Sequence, residues 1–219
     1  MIYFFTHPIS SLNHLVARLL TDQISLLISI VFFVILSLNY KNRFWQIIDK
    51  QIAIWAEESK ETIVKRNAEE FAILGNAIFH ILFSVIISIV FFIAKHKFSP
   101  VISILFALIF SWGLNRLMKL IFKRTRPEYS ASTRKRLSFC YPSGHIMASI
   151  PIYFFSAVLL QSLIPFLPWY LIALAVCYFV TMSRIYLNHH YFTDVLGGIA
   201  MGIFCLNVSI WFYFFVGLM

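Results

Sequence analysis

Long apolar runs separated by short polar clusters dominate this chain. Six of them approach the ~20 residues that carry a helix across a bilayer: Leu19–Leu38, Phe71–Ala94, Ser99–Phe122, Ile146–Leu163, Trp169–Asn188 and Val195–Leu218. The breaks carry their own signals. Lys95-His96-Lys97 reads as a polar turn, and Pro100 suits the first turn of the next helix. Pro165 and Pro168 lie too close together for a continuous helix between the fourth and fifth runs. The pattern predicts an all-α, polytopic membrane bundle of about six transmembrane helices, read as a single domain over residues 1–219.

Residues 40–70 follow a different rule. Trp45, Ile48, Ile52 and Trp55 recur at helical spacing with charges between them. This predicts either an amphipathic helix lying at the membrane interface, where aromatic side chains suit the headgroup layer, or a solvated connector packed on the bundle. The start of the chain lacks the basic stretch and small-residue cleavage site of a signal peptide, so the first run reads as an uncleaved anchor.

Composition agrees: 60% of the 219 residues are hydrophobic and only 12% charged. The net charge of +9 would suit nucleic acid, but the cations flank apolar runs and build no soluble basic domain, which argues against that partner. Anionic headgroups and phosphorylated lipids suit them better. Cys140, Cys177 and Cys205 give no disulfide framework, and no metal-binding motif or cofactor signature appears.

Three polar stretches carry candidate chemistry: Lys119-x6-Arg126-Pro127, Pro142-Ser143-Gly144-His145, and Ser183-Arg184-x5-His190-x3-Asp194. With six spans, all three fall on one membrane side. His190 can attack phosphorus through one ring nitrogen if an acceptor holds the other. Asp194, four residues on, shares a helix face with it if the stretch is helical, and would fix the tautomer. His189 would point about 100° away and reads as secondary. Arg184 offers a planar fork to phosphate oxygens. Ser143 suits a helix N-cap, Gly144 lets backbone approach an anion, and His145 is placed to protonate a leaving oxygen. Lys119 and Arg126, two turns apart, would share a face if the helix runs on, although Pro127 predicts fraying. Taken singly, each stretch also fits a blander reading: an interfacial ion pair, a capped turn, a juxtamembrane basic cluster.

Together they fix eleven residue types at set spacings, and the pattern resembles the type 2 phosphatidic acid phosphatase (PAP2) superfamily, with no substitution at any fixed position. The close resemblance covers about residues 119–194. It implies a helical core shared with vanadate-dependent haloperoxidases and metal-independent hydrolysis of a lipid phosphate or diphosphate through a phospho-histidine. It also implies His190 as nucleophile, Asp194 as its partner, and His145 as acid and then base. Lys119, Arg126, Ser143, Gly144 and Arg184 map as phosphate ligands. The substrate is left open among isoprenoid diphosphates, phosphatidic acid, phosphatidylglycerol phosphate and lipid A phosphates. Arg134, Lys135 and Arg136 would suit a second phosphate, and equally a basic patch resting on anionic lipid; on the first reading a diphosphate leads. Phosphotransfer to another lipid and non-catalytic lipid-phosphate binding or transport are the alternatives.

Orientation divides the signals. Of the 18 Lys and Arg, all but Arg18, Lys95 and Lys97 fall on the motif side, and the positive-inside rule then places the motifs in the cytoplasm. The resemblance implies a bacterial inner membrane with the site on the periplasmic face, and that is the expectation taken here.

Overall fold

The computed structural model describes residues 23–59, 62–127 and 139–217, with side chains described from residue 65 in the second stretch. The first 22 residues and the cluster Arg134-Lys135-Arg136 therefore lie outside the described residues. So do the start of the expected first span and the second-phosphate site proposed for that cluster. Eight helices make up the regular structure of the described residues: α1 Gln23–Asn39, α2 Arg43–Glu58, α3 Thr62–Leu74, α4 Ala77–Lys95, α5 Phe98–Phe122, α6 Gly144–Gln161, α7 Trp169–Tyr186 and α8 Phe192–Gly217.

Five of these, α4 to α8, are each long and apolar enough to cross a membrane. The sixth expected span corresponds to α1, after which the chain bends by 92° into α2. Side-chain distribution identifies the solvent. On α4 the buried stripe is His80, Ser84, Ile87, Ser88 and Phe91, while Ile78, Leu82, Ile86 and Ile93 face outward. A water-soluble helix has the reverse arrangement. Outward aliphatic faces also run along α1, α5 and α7, as a bilayer requires, and the protein is an integral membrane protein.

Helix α6 lies at the centre. It packs against α8, α7, α5 and α4, while α8 also meets α1 and α5. Glycines set the α6–α8 spacing. A Cβ on Gly198 would stand 2.9 Å from the Ser143 carbonyl, and one on Gly202 would stand 2.9 Å from Ile150 Cδ1. Small residues thus let two helices approach where lipid supplies no hydrophobic drive. Tyr141, just before α6, is fully buried. Its ring stacks on Tyr40 (5.0 Å) and Phe33 (5.8 Å), and its hydroxyl lies 2.8 Å from Ser37 Oγ. This wedge ties the second motif to α1 and to the bend that follows it.

Two expectations are corrected. The predicted span from Phe71 splits: Phe71 belongs to α3, and the transmembrane helix starts at Ala77, after a break at Gly75-Asn76. A side chain at Gly75 would sit 2.7 Å from Val180 and 3.0 Å from His145, so the break occurs where backbone is pressed against the bundle. Segment 40–70 is likewise two helices. In α2 the inward face combines Trp45, Ile48 and Ile52 with buried Asp49 and Ala56, while Trp55 stays exposed beside Tyr186. The helix is thus amphipathic and also docked, with an acid on its inner side.

Candidate active site

The ends of α5 and α7 and the starts of α6 and α8 meet at one end of the bundle. Every candidate residue (Lys119, Arg126, Ser143, Gly144, His145, Arg184, His190, Asp194) is described there.

The third motif begins inside α7 and ends inside α8. Arg184 is 2% exposed. Its Nε donates to Ser183 Oγ (3.2 Å), and its carbonyl accepts from the His189 amide (3.2 Å). Asn188 takes a left-handed turn (φ 50°), held by its side-chain amide donating to Ala53 O and Glu57 Oε2 of α2. His190 therefore lies on a loop, not on a helix with Asp194 as expected. The loop still delivers the pair, with His190 Nδ1 3.4 Å from Asp194 Oδ2 and the Tyr191 amide donating to the same oxygen (3.0 Å). Asp194 sits in the first turn of α8, fully buried.

The first motif is also rearranged. Helix α5 ends at Phe122, and Lys123 adopts a left-handed cap (φ 47°). Lys119 stays on the helix, whereas Arg126 lies on the irregular segment that follows it. A shared helical face is thus replaced by convergence from two directions. Arg126 Nη1 donates to the His189 carbonyl (2.6 Å) and lies 3.5 Å from His190 Nε2. Lys119 comes in from the side of the second motif, its Nζ 3.5 Å from where a Gly144 Cβ would stand.

The second motif follows a cis Tyr141–Pro142 bond. Ser143 occupies the N-cap position of α6, as its type predicts, and its amide donates to the Asp194 carbonyl (2.9 Å), joining the second and third motifs. Its hydroxyl makes no capping bond. Among the described residues, Ser143 Oγ and Arg184 Nη2 are buried polar atoms with no partner. They are two of eight such atoms, and the two that belong to the motif set, where they are available to an acceptor from outside. His145, on the first turn of α6, lies within electrostatic reach of Arg184, His190 and Lys119.

Burial, with Arg126, Lys119 and Arg184 around it, holds His190 well below the usual histidine range, so its ring is neutral. A neutral imidazole whose Nδ1 faces a carboxylate has its lone pair on Nε2, the atom beside Arg126. Among the described residues no group of three or more His, Cys, Asp or Glu is placed to hold a metal ion. The positive charge at the site comes from side-chain cations.

Four further residues belong to this site, none assigned a role from the sequence. Asn115 of α5 donates to the Pro142 carbonyl (3.1 Å) and fixes the turn before Ser143. Arg124, one of two cations between Lys119 and Arg126, donates through Nη1 to Asp194 Oδ1 (2.7 Å) and Thr193 Oγ1 (2.6 Å), and through Nη2 to Asp49 Oδ2 (2.7 Å). Thr193 donates to Asp49 from its amide (2.9 Å) and its hydroxyl (2.7 Å). One signal was available for Asp49: it falls on the apolar stripe of α2, between Ile48 and Ile52. An acid on a stripe that faces protein needs a partner.

Comparison with known proteins agrees with this geometry. A family model described as "PAP2 superfamily" matches residues 100–217. Phosphatidylglycerophosphatase B of Bacillus subtilis is 37% identical over 95 residues, which cover 41% of this chain and 46% of that protein. The alignment thus spans about half of that relative's length. A crystal structure titled as a transmembrane PAP2-type phosphatidylglycerolphosphate phosphatase from Bacillus subtilis superposes with a TM-score of 0.80 at 27% identity. It covers 86% of this chain and 95% of the other. With the motif set gathered at one end of an all-helical membrane bundle, and the family model spanning more than half its length, the chain belongs to the PAP2 superfamily.

Proposed function

We propose that this protein is a membrane-embedded phosphatase that removes the terminal phosphate from a lipid through a phospho-histidine on His190. The observation that carries this reading is a neutral, buried His190 held between a carboxylate on Nδ1 and a guanidinium beside Nε2, with unpartnered buried donors on Ser143 and Arg184.

In the first step the Nε2 lone pair attacks phosphorus and the P–O bond to the lipid alcohol breaks. His145 gives its proton to the departing oxygen. Asp194 holds the Nδ1 proton and balances the charge that forms on the ring. Lys119, Arg126, Arg184, the Ser143 hydroxyl and the Gly144 backbone bind the three oxygens, where charge accumulates in the transition state. In the second step His145, now the base, takes a proton from water; the oxygen attacks phosphorus and His190 leaves with its electron pair. Lipid alcohol and inorganic phosphate are the products, and the enzyme returns to its starting state.

Among lipid classes, phosphatidylglycerol phosphate is the reading favoured over an isoprenoid diphosphate, because both relatives carry that substrate in their names. The outward apolar faces of α1, α4, α5 and α7 let acyl chains remain in the bilayer while the headgroup enters. The family resemblance supports reading the site as lying on the periplasmic face of a bacterial inner membrane.

The test is phosphate release in detergent with EDTA present, comparing wild type with His190→Ala over phosphatidylglycerol phosphate, phosphatidic acid and an isoprenoid diphosphate. We expect release that requires His190, persists in EDTA, and is greatest for phosphatidylglycerol phosphate. Release by His190→Ala at the wild-type rate overturns the mechanism, and a strict diphosphate preference overturns the substrate.

A further inference from the structure

Arg124 is held in a way that a surface cation is not. Its guanidinium lies between two rings, 4.7 Å from the Tyr40 centroid and 4.1 Å from that of Tyr191. One nitrogen is committed to Asp194 and the other to Asp49, each at 2.7 Å. The two carboxylates are 0% and 3% exposed, so the chain Asp194–Arg124–Asp49 is largely removed from water. Asp49 closes the loop on the other side by accepting both the amide and the hydroxyl of Thr193, the residue before Asp194.

We propose that Asp49 and Arg124 are positioning residues for the His190–Asp194 pair, so that the interfacial helix α2 sets the geometry of the nucleophile. This rests on the reading of His190 as that nucleophile. Asp194 has two oxygens with different tasks: Oδ1 takes Arg124, and Oδ2 takes the Tyr191 amide and faces His190. Arg124 thus fixes the rotation of the carboxylate, and with it the direction of Oδ2. Asp49 fixes Arg124 in turn and clamps the first turn of α8, on which Asp194 rides. A planar fork is needed because two carboxylates and a hydroxyl are met at once; a lysine offers one point charge. Asp49 also limits how strongly Arg124 draws on Asp194. Without it the whole cation falls on Asp194, weakening that carboxylate as an acceptor for Nδ1–H.

The experiment uses the full chain in detergent with Asp49→Asn, Arg124→Gln and Arg124→Lys. Glu58→Gln, an exposed acid on the same helix, is the control. Asparagine keeps one oxygen to accept from the Thr193 amide, while its Nδ2 stands where Oδ2 met Arg124 and the Thr193 hydroxyl, so Asp49→Asn keeps one tie between α2 and α8 and removes the charge. We expect kcat for lipid phosphate to fall about 10- to 100-fold in Asp49→Asn and further in Arg124→Gln, the loss typical of a reacting group displaced by about 1 Å. KM stays within about threefold, Arg124→Lys fails to restore the rate, and Glu58→Gln matches wild type. The second readout is the His190 tautomer, from nitrogen-15 spectra assigned by difference with His190→Ala. Wild type carries the proton on Nδ1, and Asp49→Asn and Arg124→Gln move population to Nε2–H. A purely structural tie would lower thermal stability and the active fraction while leaving kcat per folded molecule and the tautomer unchanged, and that result overturns the proposal. If wild type releases no phosphate while the tautomer shifts in both variants, the phosphatase reading falls and the positioning role stands.

Discussion

Replacing Gly144 with alanine separates helix propensity from site geometry. Gly144 opens α6, and no glycine among the described residues has a positive φ, so alanine fits the backbone. By propensity and unfolded-chain entropy the change should stabilise by about 0.4–1 kcal/mol. The surroundings oppose it. The new methyl would stand 2.7 Å from Asn115 Oδ1 and 3.3 Å from its Cγ, closer than carbon and oxygen tolerate. Asn115 is buried, and its amide nitrogen already holds the Pro142 carbonyl and lies 3.4 Å from Met147 Sδ, so it yields only by losing these contacts. Stranding that carbonyl costs about 1–3 kcal/mol. The net effect is a loss of about 1 kcal/mol in stability. Activity suffers more, because the turn that presents the Ser143 hydroxyl and the α6 amides moves with Asn115. A shift of about 1 Å at such a position lowers kcat/KM by roughly 100-fold.

The assay is a double-mutant cycle with Asn115→Ala, reading thermal unfolding and phosphate release in the same detergent. Removing the Asn115 side chain removes the collision, so Gly144→Ala should cost little more in that background and its propensity gain should emerge. Equal fold-losses in both backgrounds would mean that the methyl acts without Asn115, and would refute the reasoning.

Arg184→Met should raise the unfolding temperature while lowering phosphate release by about 100- to 1,000-fold, since it deletes a buried, incompletely paired charge that serves the transition state; a lower unfolding temperature contradicts this. Arg126→Gln removes the guanidinium 3.5 Å from His190 Nε2 that helps keep the ring neutral, so the acid limb of kcat/KM should move to higher pH, and a shift to lower pH contradicts the assignment. The sign for stability follows from the same depressed protonation. The unfolded chain takes a proton at the ordinary histidine pKa of about 6.5, the folded His190 only well below it, so its contribution is complete above that value and is lost as pH falls. Arg126→Gln should shrink that acid-side loss, as read from unfolding temperatures as pH falls below about 6.5.

The bundle was legible because lipid imposes one strong rule. A run such as Val195–Leu218 has few options other than a spanning helix, and the observed α8, Phe192–Gly217, covers all of that run that lies within the described residues. The convergence of the motif residues was legible because, with six spans, their stretches fall at the same end of the bundle, where the structure gathers them. What failed was backbone detail. His190 and Asp194 meet across a loop because Asn188 adopts a left-handed turn that α2 stabilises from about 130 residues away. No local pattern encodes a contact at that separation. Arg124 was hidden for a similar reason, since a cation among Lys119, Lys123 and Arg126 looks like an interfacial cluster until its partner on α2 is placed opposite.

Placing that partner changes the charge balance around His190. Lys119, Arg124, Arg126 and Arg184 are four cations, and Asp49 and Asp194 are two carboxylates, leaving two positive charges about a neutral imidazole. A phosphate monoester brings a charge of about −1.5 to −2 at neutral pH. Within this set of described residues the surplus is of the size of one terminal phosphate, which supports the proposed monoester reading; Arg134, Lys135 and Arg136 lie outside the described residues. Arg124 contributes to the balance through Asp49 and Asp194, which take up its charge, so the proposed phosphate ligands are Lys119, Arg126 and Arg184. An enzyme that used Arg124 as a fourth phosphate ligand would lose the orientation of Asp194. The two roles exclude each other, and Arg124→Lys discriminates between them, since a lysine keeps a point charge for phosphate but cannot bridge two carboxylates.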